Sequence, residues 1–328
     1  MTDITTRYLG ITLKNPIIAA SSGLTGNINS IIELEKSGIG AIVLKSIFEE
    51  EILAEFNREL HQLDRFKSNL EYLDYYDYQI KEENIGKYLS LIKEAKKNCS
   101  IPIIASINCK TATEWPVFAK KLVEAGVDAI ELNVFIMPSD IHKPSSEIED
   151  NYIKIAEKVI KNVSVPVAVK MSKYFTNTGY LANKLVKTGV SGIVMFNRFY
   201  NPDIDIQKLT VASANVLSTP EELSHTLRWT ALLSPVIDTS ISASTGVHSA
   251  EAVIKLILAG ADTVQLASVL YNNGVAYAST IINELQIWME KNQFSSLAQF
   301  KGKLNHEKTK NPSDFERVQF MKYFSERD

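Results

Sequence analysis

Cysteine is nearly missing from this chain: Cys99 and Cys109 are its only two, with no C-x-x-C pair, which leaves no readable disulfide framework and no thiolate metal or iron–sulfur site. Histidine is almost as sparse, five scattered residues without an H-x-x-x-H spacing, so no metal site is expected. An excess of one charge is missing too. Lys and Arg number 35 against 38 Asp and Glu, and a net charge of -3 gives no overall attraction to nucleic acid or an anionic membrane. The basic pairs Lys96-Lys97 and Lys120-Lys121 fall among acids on helix-like segments and read as solvated faces. No apolar stretch is long enough for a signal or an anchor, and the opening MTDITTRYLG is polar from the start, so a chain that is neither exported nor inserted, working in a reducing cytoplasm, is expected. No G-x-G-x-x-G follows the first apolar run, which removes the usual support for an open dinucleotide-binding sheet.

What the chain does have is 328 residues, 45% of them hydrophobic, enough to bury one large core. Short β-branched runs recur at Ile17–Ser21, Ala41–Ser46, Ile103–Asn108, Ala129–Val134, Val167–Ser172, Gly192–Asn197, Thr239–Ser244 and Thr263–Ser268, each followed by a stretch of helical periodicity. In KSGIGAIVL, EAGVDAIEL, KTGVSGIVM and LAGADTVQL a glycine follows the helix, where a left-handed C-cap is needed, and a strand starts at once. Eight apolar strands alternating with helices predict a (β/α)8 barrel, with residues 1–305 as one domain and 306–328 as a charged helical extension. In that extension Ser313 and Glu316 fit a capping box, and Phe315, Val318, Met321 and Phe324 make an apolar stripe. Two inserts follow strands and belong over the C-terminal mouth. One is 47–83, with Tyr72, Tyr75, Tyr76 and Tyr78; the other is 198–219, ending in STPEEL, where Ser218 or Thr219 caps, Pro220 opens the helix and Glu222 completes a capping box.

Chemistry in such a barrel sits at the C-terminal strand ends. Those ends present Ser21, Ser22 and Gly23, Lys45 and Ser46, Asn108, Asn133, Lys170 and Ser172, Asn197, Ser244 to Gly246, and Ala267 with Ser268: a polar, cationic set almost free of carboxylate. Lys45 and Lys170 stand inside apolar strands and call for an electron-rich partner, because a buried ammonium without one is costly. The asparagines donate and accept at once, which suits a heterocycle edge. ISASTGVHSAEAVIKLILAGADTVQLAS places small residues at two successive strand-to-helix turns, a setting for a phosphate.

Taken in order along the chain, NPIIAASSG, VLKS, ELN, VAVKMSKYF and LAGADTVQL…FSSLAQFKGKL resemble the dihydroorotate dehydrogenase family, FMN-dependent barrels of pyrimidine synthesis, and particularly its soluble members, from about Tyr8 to Asn305. The resemblance implies FMN as cofactor, a symmetric homodimer, and an oxidoreductase acting on a small molecule. It implies that Ala20, Ser21 and Gly23 line the flavin, that Lys45 and Ser46 contact its ring, and that Asn108, Asn133 and Asn197 bond flavin or substrate. Lys170 corresponds to the family lysine beside flavin N1 and the C2 carbonyl, where a fixed cation favours the reduced state. Thr245-Gly246 and Ala267-Ser268 match the family's phosphate turns only partly.

The substrate half departs from the family. Relatives place a cysteine or serine on the loop after E-L-N to take the substrate proton; here the loop IELNVFIMPSDIHKP is one residue longer and Met137 precedes the matching Pro138, and a thioether cannot accept a proton. Ser139 stands where the family's orotate-binding asparagine does, Asn197-Arg198 replaces an Asn-Ser pair, and the recognition turn has no clear counterpart around Ser68-Asn69, leaving Asn69 as the nearest candidate. Asp140 and His142 on the same loop are the candidate replacement bases, and Arg198 points to an anionic substrate unless it forms a surface salt bridge. Three functions remain open: an FMN oxidoreductase acting on dihydroorotate or a related molecule, an FMN-binding protein without turnover, and a Schiff-base aldolase-like barrel using Lys170.

Overall fold

The structure, a computed structural model, describes residues 2–48, 85–108, 115–199 and 201–316. The strands Ile17–Ala19, Ala41–Val43, Ile103–Asn108, Ala129–Asn133, Val167–Met171, Gly192–Met195, Ser240–Ser244 and Thr263–Leu266 pair in parallel, in chain order. The last pairs with the first, Val264 opposite Ile17, so the sheet closes into the predicted (β/α)8 barrel. Helices alternate with these strands, among them Ile28–Lys36, Ser145–Ile160, Thr178–Lys187, Leu223–Leu233, Ala250–Ala259 and Tyr277–Lys291. The four glycine returns are left-handed as expected, with φ of +94° at Gly38, +97° at Gly126, +94° at Gly189 and +115° at Gly260. Most strands end a residue or more before the apolar runs do, because the last residues of each run turn away from the ladder to build the mouth.

Strand residues alternate between two separate cores, the period of two that a pleated strand imposes. Ile17, Ile42, Ile103, Ile130, Val169, Ile193 and Val264 pack outward under the helices, whereas Ile18, Val43, Ile104, Ala129, Ala168 and Val194 fill the barrel. The inner core is closed from below by an antiparallel hairpin, Thr6–Tyr8 with Ile11–Leu13, that the sequence reading did not anticipate. Its two-residue turn has φ of +53° at Leu9 and +79° at Gly10, the primed geometry that matches strand twist. Leucine adopts it because its side chain is buried in the barrel floor and its N–H donates to Ser240 Oγ at 3.1 Å. Gly192 makes the room: a Cβ there would stand 2.4 Å from Leu9 Cδ2. Burying Tyr8, Leu9 and Leu13 contributes about 1.5–3 kcal/mol each.

Of the insert 198–219, the described part folds back as an antiparallel hairpin, Pro202–Asp205 with Thr210–Ser213, whose Ile204 and Val211 are exposed. The STPEEL capping box forms as read, with Thr219 and Glu222 reciprocally bonded and Pro220 at the first turn. Beyond Asn305 the chain contacts helix Leu223–Leu233, with His306 N–H donating to Ala231 O, and turns into the short helix Ser313–Glu316. Val318, Met321, Phe324, the tyrosine cluster, Asn69 and Cys109 lie outside the described residues.

Candidate active site at the barrel mouth

Lys170 points into the barrel, since it is flanked in register by Asn133 and Val194, and it is only 6% exposed. Its partner corrects the expectation of a mouth almost free of carboxylate. Glu131, 1% exposed, lies deeper in the lumen opposite Ala168, and its Oε1 stands 3.4 Å from Lys170 Nζ. Gln265 completes a triangle: Lys170 Nζ donates to Gln265 Oε1 at 3.1 Å, and Gln265 Nε2 donates to Glu131 Oε2 at 2.7 Å. Beneath it Tyr8 reaches up from the plug, its phenol held well above its usual range by burial and by the Glu131 charge, so it stays a neutral group. Glu131 was legible in principle, because it stands two residues before Asn133 on one strand and therefore shares its inward face. Gln265 bears the same relation to Ala267.

On the first three strands a chain of hydroxyls spans the mouth. Ser46 Oγ contacts Ser21 Oγ at 3.1 Å and Ser106 Oγ at 2.7 Å, and Ser46 N–H donates to Ser21 Oγ. Asn108, 2% exposed and two residues beyond inward-facing Ser106, has a buried Nδ2 with no acceptor among the described residues. A buried amide donor of this kind calls for an acceptor, which water or a ligand supplies. Asn197 Nδ2 donates to Asn133 Oδ1 at 2.5 Å, tying the fourth and sixth strand ends together. Lys45, by contrast, is exposed, its alkyl stem against Gly26.

A cavity of about 540 Å3 opens above Lys170, within the range of small-molecule sites, and is lined by Ala20, Ser21, Gly23, Lys170, Asn197, Arg198, Thr245, Gly246, Ala267 and Ser268 among others. Its far end is the turn after the seventh strand, where φ is +82° at Thr245 and +78° at Gly246. Thr245 holds this conformation with its hydroxyl on Phe196 O at 3.0 Å, while at Gly246 a Cβ would meet Leu223 N at 2.2 Å, so only glycine fits. Ser268 Oγ accepts from Ser218 N–H at 2.9 Å, and Ser218 Oγ lies 3.1 Å from His248 Nε2. Neither Ser218 nor His248 was singled out as a ligand-facing group from sequence; insert length alone pointed there.

The loop after the fourth strand is different. Phe135 stacks on Phe199 with centroids 4.0 Å apart, Tyr174 meets Phe199 edge-on, and Tyr152 donates its hydroxyl to Val134 O at 2.6 Å. Met137, Ser139, Asp140 and His142 are all exposed beyond that anchor, and none lines the cavity described above. Asp140 Oδ1 accepts from His142 N–H, a local turn contact. Arg198 is spent within the chain: its Nε donates to Glu222 at 3.0 Å, Nη1 to Val216 O at 2.7 Å and Nη2 to Asn215 O at 2.9 Å. Burial would raise the Glu222 carboxyl, but hydrogen bonds from Arg198 and Thr219 outweigh it and hold the group below its usual range. His225 nearby is held down by burial and by the charges of Lys173 and Arg228, and so is neutral at pH 7. The described geometry therefore ties Arg198 to the insert rather than offering it to an anion.

Comparison with known proteins bears on the whole chain. A family model described as dihydroorotate dehydrogenase matches residues 3–289. The catalytic subunit of dihydroorotate dehydrogenase B (NAD(+)) from Thermoplasma volcanium is 27% identical, covering 92% of this chain and 98% of the relative. The subunit of the same name from Methanosarcina acetivorans is 28% identical over 91% of this chain and 94% of the relative. Dihydroorotate dehydrogenase A (fumarate) from Limosilactobacillus reuteri is 28% identical over 86% and 92%.

Proposed function

The chain belongs to the dihydroorotate dehydrogenase family, and from that premise we propose that it is an FMN-dependent oxidoreductase acting on dihydroorotate or a related small molecule. The observation that carries the proposal is the cavity lined both by the buried Lys170 ammonium and by the Thr245-Gly246 and Ala267-Ser268 turns, because it offers a fixed cation and a phosphate setting in one pocket. When bound, FMN supplies a two-electron acceptor for the oxidation of a carbon–carbon single bond. The chain's own residues hold it: the Ser21–Ser46–Ser106 hydroxyls and Asn108 as hydrogen-bonding groups, Lys170 as the fixed cation, and the turns at Thr245-Gly246 and Ala267-Ser268 as the phosphate end. Asn133 and Asn197 face the substrate as a linked pair.

A second reading, FMN binding without turnover, is favoured by one specific finding: Met137 stands at the base position, and Asp140 and His142 are exposed outside the cavity lining. For either of them to act as base, the loop would have to fold inward over the substrate. Anaerobic mixing of the FMN-loaded protein with dihydroorotate and related heterocycles separates the two. Bleaching of the flavin absorbance supports catalysis; an oxidised spectrum with every candidate supports binding alone. A Schiff base at Lys170 is disfavoured because its Nζ is already held by Glu131 and Gln265, and borohydride trapping tests it. Among the described residues no helix is long and apolar enough to cross a membrane, and no group of three or more His, Cys, Asp and Glu is placed to hold a metal ion. A cytoplasmic homodimer is part of the proposal, and sedimentation of the purified chain tests the dimer.

A further inference from the structure

We infer that Glu131 is a positioning residue: it fixes the Lys170 ammonium and, through it, sets how strongly the site favours reduced flavin. The inference rests on the FMN reading above. Its basis is the closed triangle of Lys170, Glu131 and Gln265. The ionised Glu131 accepts from Gln265 Nε2 at 2.7 Å, which turns the amide oxygen toward Lys170, where it accepts at 3.1 Å. With the opposite amide orientation, an NH2 group would face the ammonium and a carbonyl would face the carboxylate, so the triangle has one satisfied arrangement. An ammonium has three donors. Gln265, by a hydrogen bond, and Glu131, by its charge at 3.4 Å, draw Lys170 toward the lumen, which leaves donors for whatever lies in the cavity above.

The carboxylate is not a hydrogen-bonding ornament of the lysine. Glu131 Oε1 has no hydrogen-bond donor of good geometry, and its only cation within bridging distance among the described residues is Lys170 at 3.4 Å. Below it stand the neutral hydroxyls of Tyr8, Ser242 and Thr263, each buried without a hydrogen-bond partner. Among the described residues no second cation therefore offsets Glu131, and its negative charge is directed at Lys170 at a position only 1% exposed, where water screens poorly. Register places Lys170 opposite Asn133 and Glu131 opposite Ala168, so the cation is the nearer charge to the mouth and the anion lies one step deeper. The pair presents a partly cancelled positive charge to the ring. A full ammonium would favour reduced flavin more strongly, and the carboxylate tempers that preference.

The sign of the test follows. In Glu131→Gln the shape is kept and the negative charge is removed, so the potential of bound FMN rises; a tenfold change in the equilibrium between oxidised and reduced forms corresponds to about 30 mV for this two-electron couple. The full-length chain, loaded with FMN, is equilibrated with a reference dye while xanthine and xanthine oxidase supply the electrons. A rise of that order in Glu131→Gln, with Glu131→Asp returning toward the parent value, is the expected result. An unchanged potential in Glu131→Gln, or equal shifts in the Gln and Asp variants, overturns the inference while leaving the FMN reading intact. A second arm needs no cofactor: acetylation of Lys170 by acetic anhydride, followed by mass spectrometry of the cofactor-free protein. It is expected to quicken several-fold in Glu131→Gln and only slightly in Glu131→Asp, because the amine is then no longer held toward the lumen by a carboxylate. Unchanged labelling refutes the positioning role even if the parent chain binds no flavin, an outcome that sinks the FMN reading separately.

Discussion

Replacing Lys170 by methionine leaves Glu131 as an unpaired carboxylate in the barrel lumen, 1% exposed, with only the Gln265 amide to bond it. Removing one partner of a buried pair costs about 3–5 kcal/mol. At roughly 2.1 cal/mol/K per residue, a chain of 328 residues has an unfolding entropy near 0.7 kcal/mol/K, so the melting temperature of the cofactor-free protein should fall by about 4–7 °C. Removing both charges, Lys170→Met with Glu131→Gln, should restore stability to within about 1 kcal/mol of the parent, because replacing a buried pair outright is often near neutral. Equilibrium urea unfolding of the four proteins, stripped of ligand, gives the coupling directly, and a non-additivity of at least about 2 kcal/mol is expected. A Lys170→Met cost below about 1 kcal/mol, or losses that simply add in the double variant, would show that the two side chains do not depend on each other and would refute the argument.

Three further outcomes follow from particular contacts. Gly246→Ala puts a Cβ 2.2 Å from Leu223 N at a φ of +78°, so unfolding should show a loss of more than about 1 kcal/mol and FMN titration a weaker affinity. Glu222 has a folded-state pKa below its unfolded one, so its contribution is present above the unfolded value near 4.5 and is lost as pH falls through the folded value. Protection factors in 201–219, taken relative to the intrinsic exchange rate at each pH, should therefore fall on acidification below about pH 4.5, and in Glu222→Gln they should be low already at neutral pH and insensitive to that change. The Cys99 thiol is pushed up to about 11 by burial and by the Glu35 carboxylate beside it, so iodoacetamide mapped peptide by peptide should label it slowly at pH 7.5.

The architecture was readable because its cause is local. A βα return needs a left-handed residue after the helix and an apolar run after that, and KSGIGAIVL or LAGADTVQL states both within a few residues. Lys170 was readable for the same reason, a charge inside VAVKM that its four apolar neighbours cannot satisfy. Its partner was passed over although the spacing to Asn133 turns Glu131 inward, because nothing local shows that the two side chains meet on neighbouring strands or that Gln265, 134 residues away, joins them. Arg198 had two readings, anion binding or a salt bridge, and the sequence could not choose between them because the carboxylate that holds it is 24 residues on, in the capping box of the next helix. The floor hairpin went unseen because three-residue strands carry almost no periodic signal, and the 202–213 hairpin because its apolar side chains face outward rather than into a core.

The central claim is that this mouth is built for one FMN. Titrating FMN into the ligand-free chain while following flavin fluorescence and the visible spectrum tests it most directly. Saturation at one FMN per chain, with riboflavin binding markedly more weakly because it lacks the phosphate that the Thr245-Gly246 turn receives, is the predicted result. Fluorescence and absorbance that follow those of free flavin throughout would contradict it.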